Sequence, residues 1–170
     1  MIDLLASVAV SVEPYDKITC PDCSTQEQMA LVAFQDKGIT DRNALGALMG
    51  NIKQESRFLP DICEGGARVP YERCYRGGFG LIQWTTTGRY DGLGRFAKMN
   101  ACNPSTTECQ LGYLFTEYQW NRVEPYMKTK GNTIEYYMQH AYKWLGWGIH
   151  GARTDYAYDY VRMFSPHPGT

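Results

Sequence analysis

Ala44, Leu48 and Ile52 recur at helical spacing within residues 40–56, which commits this stretch to a helix with one apolar face. At about 100° per residue, Leu45 and Ala47 flank that arc and Glu55 projects into it. A carboxylate therefore falls on the face that a globular fold must bury. Desolvation disfavours its charged form, and the negative end of its own helix repels the anion, so both effects raise its pKa. A glutamic acid that keeps its proton near neutrality can protonate a leaving oxygen. The competing structural reading is a Glu55 satisfied by an arginine, or a helix rotated away from this phase.

A second motif follows in Gly77-Gly78-Phe79-Gly80-Leu81-Ile82-Gln83-Trp84. Its glycines let the main chain adopt conformations closed to other residues and let a ligand approach the backbone. Gln83 adds amide hydrogen bonds and Trp84 an aromatic face. Taken alone, the segment reads equally well as a hairpin feeding the core.

Together, Glu55-Ser56-Arg57-Phe58-Leu59-Pro60 and Gly80-Leu81-Ile82-Gln83-Trp84 resemble the Glu-Ser and Gly-Leu-Met-Gln pattern of goose-type lysozymes and soluble lytic transglycosylases, and most of all the phage tail lysozyme family. The resemblance spans roughly residues 25–163 and is concentrated in about 43–96. It implies a mostly α (α+β) lysozyme-like helical domain with a small β element near Gly77–Thr85. It also implies a muramidase that cleaves the β-1,4 bond between N-acetylmuramic acid and N-acetylglucosamine without a cofactor or metal, Glu55 being the acid. Ser56 and Gln83 would hold the saccharide, with Phe79, Trp84 and Tyr142 along the groove. The implied partners are peptidoglycan glycan strands and phage tail or baseplate proteins, in a virion component acting in the host cell wall or periplasm. The chain departs from the wider pattern in its long segment between the motifs. It also lacks a clear Ala-Tyr-Asn-Ala-Gly run, whose region falls to Lys143–Trp147 or Ala141-Tyr142, and this favours hydrolysis over transglycosylation.

Hydrolysis ordinarily needs a second carboxylate, and Glu64, Glu72, Asp61 and Asp91 are the candidates. Glu64 ranks first because it lies in a Gly-flanked loop between the motifs, although a solvated loop charge is the simpler reading. Glu72, in Tyr71-Glu72-Arg73, reads as part of a surface ion pair.

The 170 residues, 44% hydrophobic, suffice for one compact domain. The expected division is an N-terminal arm over 1–23, a catalytic domain over 24–163, and a frayed tail over 164–170. A formal net charge of −1 argues against nucleic acid and against long-range steering onto an anionic wall. No apolar run is long enough for membrane insertion. Residues 4–12 are apolar but preceded by Asp3 and by no Lys or Arg, so a cleaved signal peptide is not expected; their alternation suits a local strand or an arm added to another subunit's sheet.

Six cysteines permit three pairs, and Cys63 with Cys74 and Cys102 with Cys109 would each staple a local loop. Cys20-Pro21-Asp22-Cys23 is either a metal half-site or a tight disulfide; no other spacing fits a zinc site. Free thiols stay open, since particles assemble in a reducing cytoplasm and act in an oxidising envelope. That leaves a second activity in view, a wall amidase or peptidase with Cys63 or Cys74 as nucleophile beside His140 or His150. A third reading is a catalytically silent virion protein. No phosphate-binding loop or Gly-x-Ser-x-Gly is present.

Helix starts are signalled clearly. Ser24-Thr25-Gln26-Glu27 is a capping box for a helix ending at Gly38, and Thr40 caps the Glu55 helix. Ser105-Thr106-Thr107-Glu108 precedes Leu111, Leu114, Phe115 and Tyr118, Asn132-Thr133-Ile134-Glu135 opens another run, and a last helix covers 153–163. Gly46 and Gly50 lie away from the Glu55 arc, where they permit close helix packing. The aromatics crowding the last third, Trp144 and Trp147 among them, are assigned mainly to core and interface.

Overall fold

The fold is that of a computed structural model, in which residues 17–75 and 77–168 are described. The apolar stretch 4–12, read as an arm or strand, lies outside the described residues. Among those described there are seven α-helices and one short 3-10 turn, so the mostly helical architecture is as expected.

Helix α1 (Thr25–Asp36) begins with the anticipated capping box: the Glu27 amide donates to the Ser24 hydroxyl, and the Ser24 amide donates to the Glu27 carboxylate. Gly38 follows at φ +90°, where the chain turns away. Helix α2 (Arg42–Ser56) is capped by Asp41 rather than Thr40, its carboxylate accepting from the amides of Asn43 and Ala44. The ionised acceptor also suits the positive end of the helix. Helix α3 (Thr87–Met99) had no strong sequence signal, because only Tyr90, Leu93 and Ala97 are buried along it and three glycines interrupt it. One of them, Gly92, leaves room for the Tyr113 hydroxyl, which donates to the Arg89 carbonyl at 2.9 Å.

The run opened near Ser105 is two helices, α4 (Thr107–Leu114) and α5 (Tyr118–Met127). Thr106 caps α4 in place of Ser105, whose hydroxyl is instead engaged by the Tyr71 amide at 2.8 Å. Helix α6 (Ile134–Leu145) is capped by Thr133, and α7 (Arg153–Met163) has the expected limits. The anticipated β element is reduced to isolated bridges, Phe79 with Trp84, Cys63 with Phe79, and Ile62 with Arg68. Too few residues align there to extend a ladder.

Helix α2 is the central element, buried continuously from Ala44 to Ile52 and packed against α1, α6 and α7. Its closest crossing is with α7, at Gly46 and Gly50. A Cβ on Gly50 would stand 2.6 Å from the Ala157 nitrogen and 2.7 Å from the Arg153 carbonyl oxygen, so only glycine permits this approach. The close crossing sets the N-terminus of α7 beside the C-terminal turn of α2, where Glu55 lies.

The chain ends of the domain are more firmly held than composition indicated. Ile18, Cys20 and Cys23 are buried, and Thr19 exchanges two backbone hydrogen bonds with Ser165. Arg42 donates to the carbonyls of Val161, Phe164 and Pro166, so the tail is anchored through Pro166. All six cysteines are paired, Cys20 with Cys23, Cys63 with Cys74 and Cys102 with Cys109. None is left as a thiol nucleophile, which removes the structural basis for a Cys-dependent amidase.

Candidate active site

Glu55 sits at the last turn of α2, just before the chain reverses through Arg57 and Phe58, both in left-handed conformation at φ 53° and 60°. The neighbouring Ser56 is buried, and its hydroxyl lies 2.8 Å from the Leu81 carbonyl and 3.2 Å from that of Ile52, while accepting from the Phe58 amide. It therefore ties the end of α2 to the Gly80-Leu81-Ile82-Gln83 loop. The two sequence motifs are physically joined through this hydroxyl, which is directed inward and not to a saccharide.

A second fixture holds the same loop from below. Gln110, fully buried, accepts from the Leu81 amide at 2.9 Å and donates to the carbonyls of Pro60 and Pro104. Gly80, at φ +79°, makes room for it, since a Cβ there would lie 2.5 Å from the Gln110 oxygen. No local pattern in the sequence marks Gln110, because Leu81 and Pro60, two of its three partners, are far along the chain.

These elements frame an open cleft of about 610 Å3 lined by Gln54, Glu55, Glu64, Gln83, Thr85, Thr86, Arg89, Trp147 and Arg153 among others. Of the four carboxylates considered as second partners, Glu64 alone shares this cleft with Glu55. Asp61 is paired with Arg68, and Glu72 and Asp91 line a separate depression beside Tyr71 and Arg95. Gln83 also lines the cleft; its amide nitrogen is bound to the carbonyls of Gly80 and Ile62 at 2.9 and 3.2 Å. That fixes the amide plane and leaves its oxygen without a protein donor among the described residues.

Three aromatic expectations need correction. Phe79 is fully buried and packs edge-on against Tyr71 and Tyr90. Trp84 is likewise 0% exposed, with its ring against Tyr113 and its indole nitrogen donating to Glu117 at 2.7 Å. Neither ring reaches the cleft, because the glycine-rich turn folds back on itself and carries both side chains into the core. Tyr142 is 52% exposed but lines a neighbouring depression with Met138, Lys143 and His150. The aromatic ring that does line the cleft is Trp147, which also borders the Tyr142 depression and meets Tyr142 edge-on at 5.1 Å.

Trp84 is nonetheless linked to the cleft wall through Glu117. That buried carboxylate also receives Arg89 in a two-point contact at 2.8 and 2.9 Å, so it fixes Arg89 on the cleft wall. Glu117 is the N-cap residue of α5, yet its side chain makes no capping hydrogen bond, being committed to Arg89 and Trp84 instead.

The arginine partner anticipated as the structural alternative is also present. Arg153 Nη2 lies 3.1 Å from Glu55 Oε1, their side chains being 5% and 16% exposed. Arg153 is further held by the Asn51 side-chain and backbone oxygens and by the Ile149 carbonyl, with Trp147 stacked over it at 4.6 Å. Burial pushes the Glu55 carboxyl above its ordinary value; Arg153 pulls it partly back by charge and hydrogen bond, and Arg89 adds a smaller downward pull. Desolvation is the largest of these effects, so the pair does not prevent Glu55 from holding a proton above the usual carboxylate range. Ion pair and open cleft thus coexist at one residue, a combination that neither sequence reading contained.

Among the described residues no group of three or more His, Cys, Asp or Glu could hold a metal ion, and no helix is long and apolar enough to cross a membrane. The family model of the phage tail lysozyme matches residues 25–164. No curated protein and no solved structure gives a match.

Proposed function

Since the chain belongs to the phage tail lysozyme family, we propose that its cell-wall-degrading role is that of a muramidase, a glycoside hydrolase acting on the β-1,4 bond between N-acetylmuramic acid and N-acetylglucosamine. Glu55 is the general acid that gives its proton to the glycosidic oxygen, and Glu64 is the carboxylate across the cleft. Gln83 orients the sugar through its fixed amide, and Trp147 offers a face on which a pyranose ring can stack. The setting is the tail or baseplate of a phage particle, where local opening of the wall lets the tail pass.

The observation that carries this reading is a largely buried, pKa-raised Glu55 that opens into a cleft also lined by a second carboxylate. Glu55→Gln keeps shape and hydrogen bonding but removes the transferable proton. Lysis of purified sacculi is expected to fall at least about a hundredfold, the low end of what general acid catalysis contributes. Wild-type protein that clears no peptidoglycan, indistinguishable from the variant, would instead identify a silent structural component. Mass spectrometry of the released muropeptides distinguishes hydrolysis, which leaves reducing ends, from transglycosylation, which leaves anhydro-muramyl ends. Glu64→Gln tests the second carboxylate, with loss of turnover expected in a protein of unchanged stability.

A further inference from the structure

We propose that Arg153 is a positioning residue for Glu55, holding Oε1 so that the acid's proton resides on Oε2 and points into the cleft. This rests on the reading of Glu55 as the acid. A guanidinium donates hydrogen bonds and never accepts them. The oxygen facing Arg153 Nη2 at 3.1 Å must therefore be the bare, accepting one. When the carboxyl is protonated, the hydrogen therefore falls to Oε2, the oxygen away from the closest guanidinium contact.

Arg153 is suited to this because it has little freedom of its own. It is 4% exposed, reaches the two Asn51 oxygens, the Ile149 carbonyl and Glu55, and is covered by the Trp147 ring. An exposed ion pair would sample many geometries, whereas this one fixes both the rotamer of Glu55 and the identity of its proton-bearing oxygen. Its placement is a product of the α2–α7 crossing at Gly46 and Gly50, which sets Arg153 level with the end of α2. The charged groups facing Glu55 are Arg153 from α7, Arg89 from α3, itself matched by Glu117, and Glu64 from the loop after α2. Of these only Arg153 touches it. Substrate has little access to Arg153, so the residue acts through Glu55.

The test follows the Glu55 carboxyl carbon by NMR titration together with the pH dependence of sacculus lysis, in wild type, Arg153→Met and Arg153→Lys. Removing the guanidinium should move the Glu55 midpoint, and with it the alkaline limb of activity, to higher pH, because burial is then opposed only by the weaker pull of Arg89. On soluble glycan strands kcat should fall about tenfold to a hundredfold, while KM stays within about twofold. Arg153→Lys keeps a cation but loses the planar fork, so the midpoint should stay near wild type while kcat remains depressed. Should Arg153→Met fail to fold, the lysine variant carries the test through its kcat and KM alone. A Glu55 midpoint unmoved in folded Arg153→Met, or a loss carried by KM, overturns the proposal. A midpoint that moves in a protein without lytic activity upholds the contact and removes the muramidase reading instead.

Discussion

Substituting Gly50 by alanine probes whether the site depends on how closely two helices cross. The added Cβ would lie 2.6 Å from the Ala157 nitrogen, 2.7 Å from the Arg153 carbonyl oxygen and 2.9 Å from the Ala157 Cα. All three are backbone atoms, so no side-chain rotation relieves the contact, and α7 must retreat by about 0.8 Å to restore ordinary packing. Overpacking of this kind costs about 1–3 kcal/mol, and the better helix propensity of alanine returns up to about 1 kcal/mol. The net loss is then about 0–2 kcal/mol, and its upper end corresponds to a Tm lower by about 4–8 °C for a domain of this size. Activity should suffer more than stability, since the retreating segment begins with Arg153 and displaces the partner of Glu55. A misplacement near 1 Å can cost up to about a hundredfold in rate. The assay is sacculus lysis at a temperature where circular dichroism finds the variant fully folded, expected at about one tenth of wild type or less. Gly46→Ala should be milder because its nearest obstacle is the Val161 side chain at 2.6 Å, with one backbone atom, the Ala157 oxygen, at 2.9 Å, and Gly88→Ala, which meets nothing within 4 Å, is the neutral control. Wild-type Tm and lysis in Gly50→Ala would refute the reasoning.

Other expectations follow from the same contacts. Burial raises the Glu55 pKa above its ordinary value, so the folded state holds that proton more tightly than the unfolded chain does. The stability due to this proton is fully present below the unfolded value and lost as pH rises through the folded one. Wild type should therefore lose Tm relative to Glu55→Gln across that window, and parallel Tm curves would contradict the assignment. In Trp84→Phe the indole donor to Glu117 disappears, which should cost about 1.5–3 kcal/mol in chemical denaturation while leaving KM for glycan unchanged. A many-fold rise in KM at unaltered stability would place the ring at the sugar after all. Replacing Cys63 and Cys74 together by alanine opens a loop of sequence separation 11 and should lower stability by about 2–3 kcal/mol, read as a shifted denaturation midpoint. An unchanged midpoint would mean that the bridge does not constrain the unfolded chain.

The local signals in the sequence are legible where one residue answers to its near neighbours. The Ser24 and Glu27 box, the apolar arc of α2, the limits of α7 and the small residues at Gly46 and Gly50 all follow from helical spacing and cap chemistry. Such signals are not legible where several side chains compete for one role. Asp41 displaced Thr40 because an ionised carboxylate caps two amides, and Ser105 gave up α4 to bind Tyr71. The burial of Phe79 and Trp84 is not legible either, because a glycine-rich turn does not state to which side its aromatics point.

The sequence by itself determined that α2 would bury its apolar arc with a carboxylate on it, and that a glycine-rich loop would follow, because both properties depend on residues a few positions apart; that α2 is buried on its other faces as well came with the packing of α7. Only the tertiary structure decided what surrounds that carboxylate. Arg153, Trp147, Arg89 and Glu64 reach the cleft from four different segments, and Gln110 and Glu117 hold the walls in place from beneath. A pKa is set by the whole shell of charges and by the water it excludes, and such a shell exists only after distant parts of the chain have packed together.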